Sequence, residues 1–146
     1  MRPIRKELLV NTITIYNYYK NEDGDRVYIP SVIRRCVAYN KKNNFDYMTQ
    51  TYGSNKQYSW NILLDSKNTY CEGKKYLDYK DWNKLSDYDK ENFWTLQVED
   101  VIIKGVYDPE ESIEFNEEDK EHFVLKEIIE YQDKDGSIHS REIVCV

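Results

Sequence analysis

Glycine, proline and histidine are scarce in this sequence, and long apolar runs are absent from it. Its 146 residues include only 5 Gly, 3 Pro and 2 His, which excludes a collagen-like or linker-like chain. No apolar run approaches the ~18 residues that a transmembrane helix needs. The glycines stand singly, so no glycine-rich loop is available to cradle a phosphate. The sequence therefore argues against a membrane-spanning protein and against a nucleotide-dependent enzyme.

Side chains that carry catalysis or bind metals are equally scarce. Cys36, Cys71 and Cys145 are odd in number and lack Cys-x-x-Cys spacing, which favours reduced thiols and folding in the cytosol. Cys71, in a predicted polar loop, is the one candidate for a reactive thiol. His122 and His139 have no partner at the spacing of known metal ligands. We therefore predict no enzyme activity, no cofactor, and no catalytic or metal-binding residues.

Aromatic and charged residues, by contrast, are abundant. The 14 Tyr, 4 Phe and 3 Trp are too many for a disordered chain, and the length fits one domain over residues 1–146. Residues 1–80 carry 14 basic and 8 acidic side chains, a net charge of +6. Residues 81–146 carry 7 basic and 19 acidic side chains, a net charge of −12. This split bears on association with partners, unless the fold mixes the two halves and cancels it.

Alternation of apolar and polar residues predicts a β-rich fold. Residues 10–40 form a long hairpin that turns at Asp23-Gly24, and Pro30 marks a bulge, an edge or a break in its second strand. Residues 123–146 form a second hairpin around an Asp-Lys-Asp-Gly turn. Further strands are expected at 57–65, 94–98 and 101–103.

The remaining segments complete the predicted fold. Residues 66–76 form a polar connection, and residues 77–93 contain short helical turns, with Ser86 and Asp89 in the pattern of a capping box. We predict a mainly all-β fold. It is a small antiparallel β-barrel or sandwich of about six or seven strands, with one or two short helices and a long loop insertion at about residues 41–60.

The aromatic loop and two nearby arginines form a candidate subunit interface. Tyr and Trp side chains on a polar segment are typical anchors of protein interfaces. The candidate residues are Phe45, Tyr47, Tyr52, Tyr58, Trp60, Arg34 and Arg35. The alternative is that two or three of these rings close the barrel core.

Several segments, taken in order, resemble small phage structural proteins encoded near the portal and head–tail joining genes, including a domain-of-unknown-function family of minor structural proteins in Firmicutes phages. The opening NTITIYNYY…DGD…YIPSVIRRCVAY is similar to their first hairpin. WTLQVEDVIIKG (94–105) resembles an element in which Gly is usual at the place of Glu99, which puts the form of that turn in question. The closing VLKEIIEYQDKDGSIHSREIVCV resembles their terminal hairpin.

The resemblance implies a head-closure (stopper) or neck protein, a virion component made in the host bacterial cytoplasm. Its implied partners are further copies in a ring, the portal or adaptor, tail-side neck proteins, and passing double-stranded DNA bound without sequence specificity, but no membrane. An acidic channel would repel DNA phosphates. The candidate channel-facing residues are Glu110, Glu111, Glu114, Glu117, Glu118 and Asp119; an ordinary solvated face is the alternative.

Two other functions stay open at the level of sequence. The acidic half fits a phage-encoded inhibitor that mimics DNA and blocks a host nuclease or polymerase, although its carboxylates crowd into one short segment. Arg34-Arg35 and Lys41-Lys42 beside aromatic residues fit a small β-barrel nucleic-acid-binding module. Against that module stands the sequence pI near 5.0, because nucleic-acid-binding domains usually present a dominant basic face.

Overall fold

The computed structural model describes residues 5–42, 58–109 and 122–146, which form a mainly β fold. The strands are β1 (Asn11–Lys20), β2 (Arg26–Lys42), β3 (Tyr58–Asp65), β4 (Tyr70–Cys71), β5 (Lys75–Tyr76), β6 (Phe93–Trp94), β7 (Val101–Lys104), β8 (Phe123–Gln132) and β9 (Ile138–Cys145). A 3-10 helix (Lys6–Leu8) precedes β1, and two short helices, α1 (Tyr79–Trp82) and α2 (Asp87–Lys90), lie between β5 and β6. The predicted hairpins, the strands at β3 and β7, and the short helices are confirmed.

Six of these strands close into a ring. Their order is β1-β7-β8-β9-β3-β2, every neighbouring pair is antiparallel, and β2 pairs back to β1. The short strand β4 adds to β2, while β5 and β6 form a separate parallel pair. This arrangement confirms the prediction of a small antiparallel β-barrel or sandwich, and the closed ring of strands is that of a barrel. The polar connection predicted at 66–76 contains two short strands, β4 and β5, which were not predicted. Strands of two residues are too short to show alternation in the sequence.

The two ends of the barrel differ in character. We call the end where β1, β3 and β8 begin the loop end, because the long connections 43–57 and 105–122 join strands there. The opposite end, where the β1–β2 and β8–β9 turns lie, is the hairpin end. Helix α1 covers the hairpin end, where the fully buried Trp82 ring packs edge-on against Tyr19 at 6.4 Å.

Strand β2 closes the ring by pairing with two strands in succession. Its first part pairs with β1 and its last seven residues, from Cys36 onward, pair with β3. The register against β1 shifts at Arg35, whose φ is 61°. Because this bulge inserts one residue, Ile33 before it and Cys36 after it both point into the core. Among the described strands, Pro30 pairs with Tyr16 of β1 on one side only, because β4 joins β2 at Ile33 and β3 joins it at Cys36. Of the three alternatives predicted for Pro30, the edge is therefore confirmed, and the bulge lies at Arg35.

The core consists of side chains that alternate along the six strands. Its fully buried members are Ile13, Ile15, Ile33, Ile62, Ile102, Leu125 and Ile143. Trp94 and Leu96, from the segment after β6, join the same cluster. Each such side chain contributes roughly 1.5–3 kcal/mol on burial.

A buried polar network fixes the segment that follows β6. The Asn17 side chain donates to the Thr95 carbonyl (2.7 Å) and accepts from the Thr95 N–H (3.2 Å). Asp100, which has no exposed surface, accepts hydrogen bonds from Asn17 (2.8 Å) and from the backbone N–H groups of Gln97 (3.0 Å) and Tyr18 (3.2 Å). Side chains therefore satisfy the backbone groups of Thr95 and Gln97 in place of a neighbouring strand. Of the strand predicted over 94–98, only Trp94 is in a strand, at the end of β6.

Glu99 adopts the backbone conformation that glycine favours. Its φ is 81°, and its N–H donates to the Leu125 carbonyl at 2.8 Å, which ties the turn to β8. Its side chain forms an exposed ion pair with Lys126 at 3.3 Å. The turn thus has the left-handed geometry typical of a glycine, although a residue with a Cβ atom occupies it.

We expect Glu99→Gly to raise the free energy of unfolding by about 0.5–1 kcal/mol, because a left-handed φ is strained for a residue with a Cβ atom. The exposed ion pair that is lost contributes little. Glu99→Ala is the matched control: it removes the same ion pair, keeps the Cβ atom and is not expected to stabilise the fold. Urea unfolding measures both. Equal stabilities of the two variants would contradict this account of Glu99.

Asp100 makes stability depend on pH. Burial raises the pKa of Asp100 from 3.8 to about 7, although the hydrogen bonds from Asn17, Gln97 and Tyr18 act in the opposite direction. Between these two values the folded state keeps a proton that the unfolded state has released, so rising pH favours unfolding. The stabilisation that Asp100 contributes is fully present below its unfolded-state pKa of 3.8, and it is lost as the pH rises through its folded-state pKa of about 7.

We therefore expect the wild type to lose stability between about pH 5 and about pH 7.5, and Asp100→Asn to lack this part of the change. The variant should be less stable overall, because its amide group cannot accept all three hydrogen bonds. Urea unfolding at both pH values gives the comparison. The same pH dependence in both proteins would show that Asp100 does not titrate in this range.

Candidate functional site

The three thiols are packed as small hydrophobic groups. Cys71, predicted to lie in a loop, lies in β4 and is buried like Cys36 and Cys145. Burial raises the pKa of Cys36 and Cys145 to about 12, and it also raises the pKa of Cys71. Since the thiolate is the reactive form, none of the three is activated as a nucleophile. The described ranges contain no cluster of metal-ligating side chains and no helix with the length and hydrophobicity of a membrane span.

Of the residues predicted for a subunit interface, the structure describes Tyr58, Trp60, Arg34 and Arg35. Phe45, Tyr47 and Tyr52 lie outside the described residues, and Tyr58 is the first residue of β3. Trp60 is only 4 % exposed, and its ring lies 4.6 Å from that of Phe123. Trp60 is therefore a core residue rather than an exposed anchor, because even-numbered side chains of β3 point into the barrel. For this ring, the alternative that it closes the core is correct.

The two predicted arginines remain at the surface of β2. Arg34 is half-buried and lies on the outward side of β2, and Arg35 is exposed at the bulge. Among the described residues, neither is joined to a carboxylate by an ion pair. Both therefore remain available to a partner.

The acidic segment predicted to face a channel lies outside the described residues. This applies to Glu110, Glu111, Glu114, Glu117, Glu118 and Asp119. The chain that leads into it crosses the outside of β1, where the Tyr107 N–H donates to the Thr14 hydroxyl (3.2 Å) and the Tyr107 ring packs edge-on against Tyr16. Beyond the segment, the chain re-enters the barrel at the loop end, where β8 begins.

Exposed aliphatic side chains lie on two sides of the loop end, because β1 and β9 are opposite each other in the ring. Leu8 and Val10 precede β1 and are 58 % and 77 % exposed, and Val146, which follows β9, is 49 % exposed. We call these three residues the loop-end patch. A cleft of about 420 Å³ adjoins it between β1, β2, β3 and β7, lined by Asn11, Thr12, Ala38, Tyr39, Trp60, Lys104 and Gly105. Leu8 and Val10 are neighbours, joined by a hydrogen bond from the Val10 N–H to the Leu8 carbonyl, and neighbouring exposed apolar side chains of this kind mark contacts with other proteins.

A second surface is the outward side of β2, β3, β9 and β8, which we call the outer wall. Strand register places Val37, Leu63, Glu142 and Ile129 in one row across these four strands. The three aliphatic residues of this row are half-buried, as is Val144 beside it. The outer wall therefore combines aliphatic side chains with one carboxylate at its centre.

Two tyrosines hold the carboxylate of Glu142. The Tyr39 hydroxyl donates to Oε1 at 2.9 Å, and the Tyr131 hydroxyl donates to Oε2 at 3.4 Å. Burial, with a further contribution from Glu142, raises the pKa of Tyr39 to about 12 and raises that of Tyr131. Both hydroxyls therefore stay protonated at neutral pH and act as donors.

No cation among the side chains that the structure describes accompanies this carboxylate. Glu142 is only 9 % exposed, yet it has no ion pair with any residue of the described ranges. Burying a charge is costly unless it is paired. Sequence reasoning missed this site, because the alternation of Ser140, Glu142 and Val144 signals an outward face but not the tyrosines that cover it.

Comparison with known proteins places the chain in a family without assigning it a role. No curated protein and no solved structure matches it. The model of a family of unknown function, DUF6751, matches residues 8–145, which is nearly the whole chain. The protein therefore belongs to the DUF6751 family, whose function is unknown.

Proposed function

We propose that this chain is a structural, non-enzymatic subunit of a tailed-phage virion, which assembles as a ring in the head–tail connector, or neck, where it seals or joins the DNA channel. The observation that carries an assembly role is the loop-end patch, with Val10 77 % exposed at one end of a closed barrel. A barrel with a buried core is rigid enough to present such a patch in a fixed position. Contact with a neighbouring component would remove these side chains from water.

The phage assignment is supported by the segments that resemble minor structural proteins of phages. These segments include β1 and β2, the stretch from β6 through β7, and the terminal β8–β9 hairpin. They build the barrel itself, so the resemblance concerns the scaffold rather than an active site. The acidic excess of residues 81–146 suits a channel through which DNA passes without binding, because carboxylates repel phosphates.

The proposed role is tested by analysing particles of the phage that carries this gene. We expect mass spectrometry to find the chain in tailed particles, in a constant ratio to the portal protein. Absence from particles, together with inhibition of a host nuclease or polymerase by the purified chain, would replace the proposal with a DNA mimic. Salt-dependent retention of DNA in a filter-binding titration would replace it with a nucleic-acid-binding module.

The loop-end patch is tested separately by Val10→Asp. We expect this variant to be missing from particles when it is the only source of the chain, because a carboxylate would have to be buried in the contact. Its thermal unfolding should match that of the wild type, since substitutions at exposed sites usually change stability by less than about 0.5 kcal/mol.

Val98→Asp is the matched control, since Val98 is 47 % exposed near Tyr18 at the hairpin end. It should be incorporated normally. Normal incorporation of Val10→Asp would show that the loop-end patch makes no required contact.

A further inference from the structure

We propose that Glu142, at the centre of the outer wall, receives an arginine from a second copy of this chain, supplied by the pair Arg34 and Arg35. The inference deepens the proposed assembly role and rests on it. It assigns a contact between like subunits to the outer wall, while the loop-end patch contacts other components.

The carboxylate has unused capacity to accept hydrogen bonds. Two carboxylate oxygens offer about four acceptor positions. From the described part of the chain, Glu142 receives two hydrogen bonds, one from Tyr39 and one from Tyr131. A guanidinium group is planar and donates two parallel N–H groups to a carboxylate. It would supply the charge that this nearly buried carboxylate lacks within the described ranges.

The surroundings of Glu142 fit a protein surface better than a small ligand. Val37, Leu63 and Ile129 continue the row on both sides of the carboxylate and are half-buried. Such a row is a shallow apolar surface rather than an enclosed pocket. Protein interfaces have an apolar centre of this kind, and arginine is enriched there among the residues that contribute most to binding.

The matching cation is present on the same chain. Arg34 and Arg35 lie on β2, and neither forms an ion pair with a carboxylate of the described ranges. They belong to the basic half of the sequence, whereas Glu142 belongs to the acidic half. Opposite charges on two surfaces favour docking of one onto the other and disfavour wrong partners.

The donor and the acceptor share the outer wall, because the arginine pair lies on β2 and Glu142 lies on β9, with only β3 between them. Two copies that face each other across their outer walls can therefore exchange contacts, each giving its arginine pair to the Glu142 of the other. A contact between like surfaces of this kind closes as a pair. The outer wall thus joins copies two by two, and contacts with other components form elsewhere.

Self-association of the purified full-length chain tests the inference by sedimentation velocity. We expect the wild type to associate at concentrations up to about 100 μM at low salt, and more weakly at about 0.5 M salt, where charges are screened. Glu142→Gln keeps the shape and removes the charge. It should weaken association at least about tenfold, as loss of one member of a buried charge pair does.

Arg34→Ser/Arg35→Ser is the second variant, and it keeps the test decisive if Glu142→Gln folds poorly. It should weaken association to a similar degree, with thermal unfolding close to that of the wild type. Lys80→Ser/Lys84→Ser is the matched control, because both lysines are exposed and the change in net charge is the same. This control should associate as the wild type does.

A monomeric wild type at every concentration would overturn the inference, and so would wild-type association of the double arginine variant. If the chain is nevertheless found in virions, only the contact at Glu142 fails. If the chain is absent from virions, the proposed function fails, whatever the purified protein does in solution.

Discussion

The whole architecture depends on one strand pairing with two neighbours. Strand β2 must leave β1 and join β3, and the left-handed backbone of Arg35 allows the change without exposing the core. Contacts on both sides hold this point in place. The Arg35 carbonyl accepts from the Thr69 hydroxyl (2.5 Å), and the Asn11 side chain accepts from the Ala38 N–H (3.1 Å). Without this bulge the apolar residues of β2 would change faces partway along the strand.

Closure of the sheet also determines where contacts with partners can form. It places the long connections and the loop-end patch at one end, and it forms the outer wall from strands of both halves of the chain. The opposite end is filled by the Asp100 network and covered by α1, whose Trp82 ring is fully buried. The hairpin end is therefore closed by buried side chains, whereas the surfaces that we propose for assembly are the loop end and the outer wall.

Local signals in the sequence were sufficient for much of the fold. Alternation and turn residues define both hairpins, and Ser86 caps α2 by accepting from the Asp89 N–H, as its spacing predicts. The exceptions depend on residues far apart in the chain. Asn17 satisfies backbone groups of Thr95, 78 positions later, and thereby removes a strand that the local pattern favours. No local pattern reveals such an interaction.

The same limit applies to the candidate site. Arg34 and Arg35 were found from the sequence, because adjacent charges on a strand are visible there. Glu142 was not, since the tyrosine that covers it is 103 positions away. For Trp60 the sequence left two predictions open, an interface anchor or a core ring, because nothing in its own segment shows on which side of the closed barrel it lies. Composition and patterning predict the barrel, whereas the partners of single side chains depend on how it closes.

The central claim is that this barrel serves as a building block whose loop end and outer wall are covered on assembly. Hydrogen–deuterium exchange of the chain, measured free in solution and within intact particles, tests this most directly. The account predicts slower exchange in the particle at residues 8–12 and along β3 and β9, with little change around α1 and the β1–β2 turn. Slower exchange confined to the hairpin end, or none at all, would contradict it.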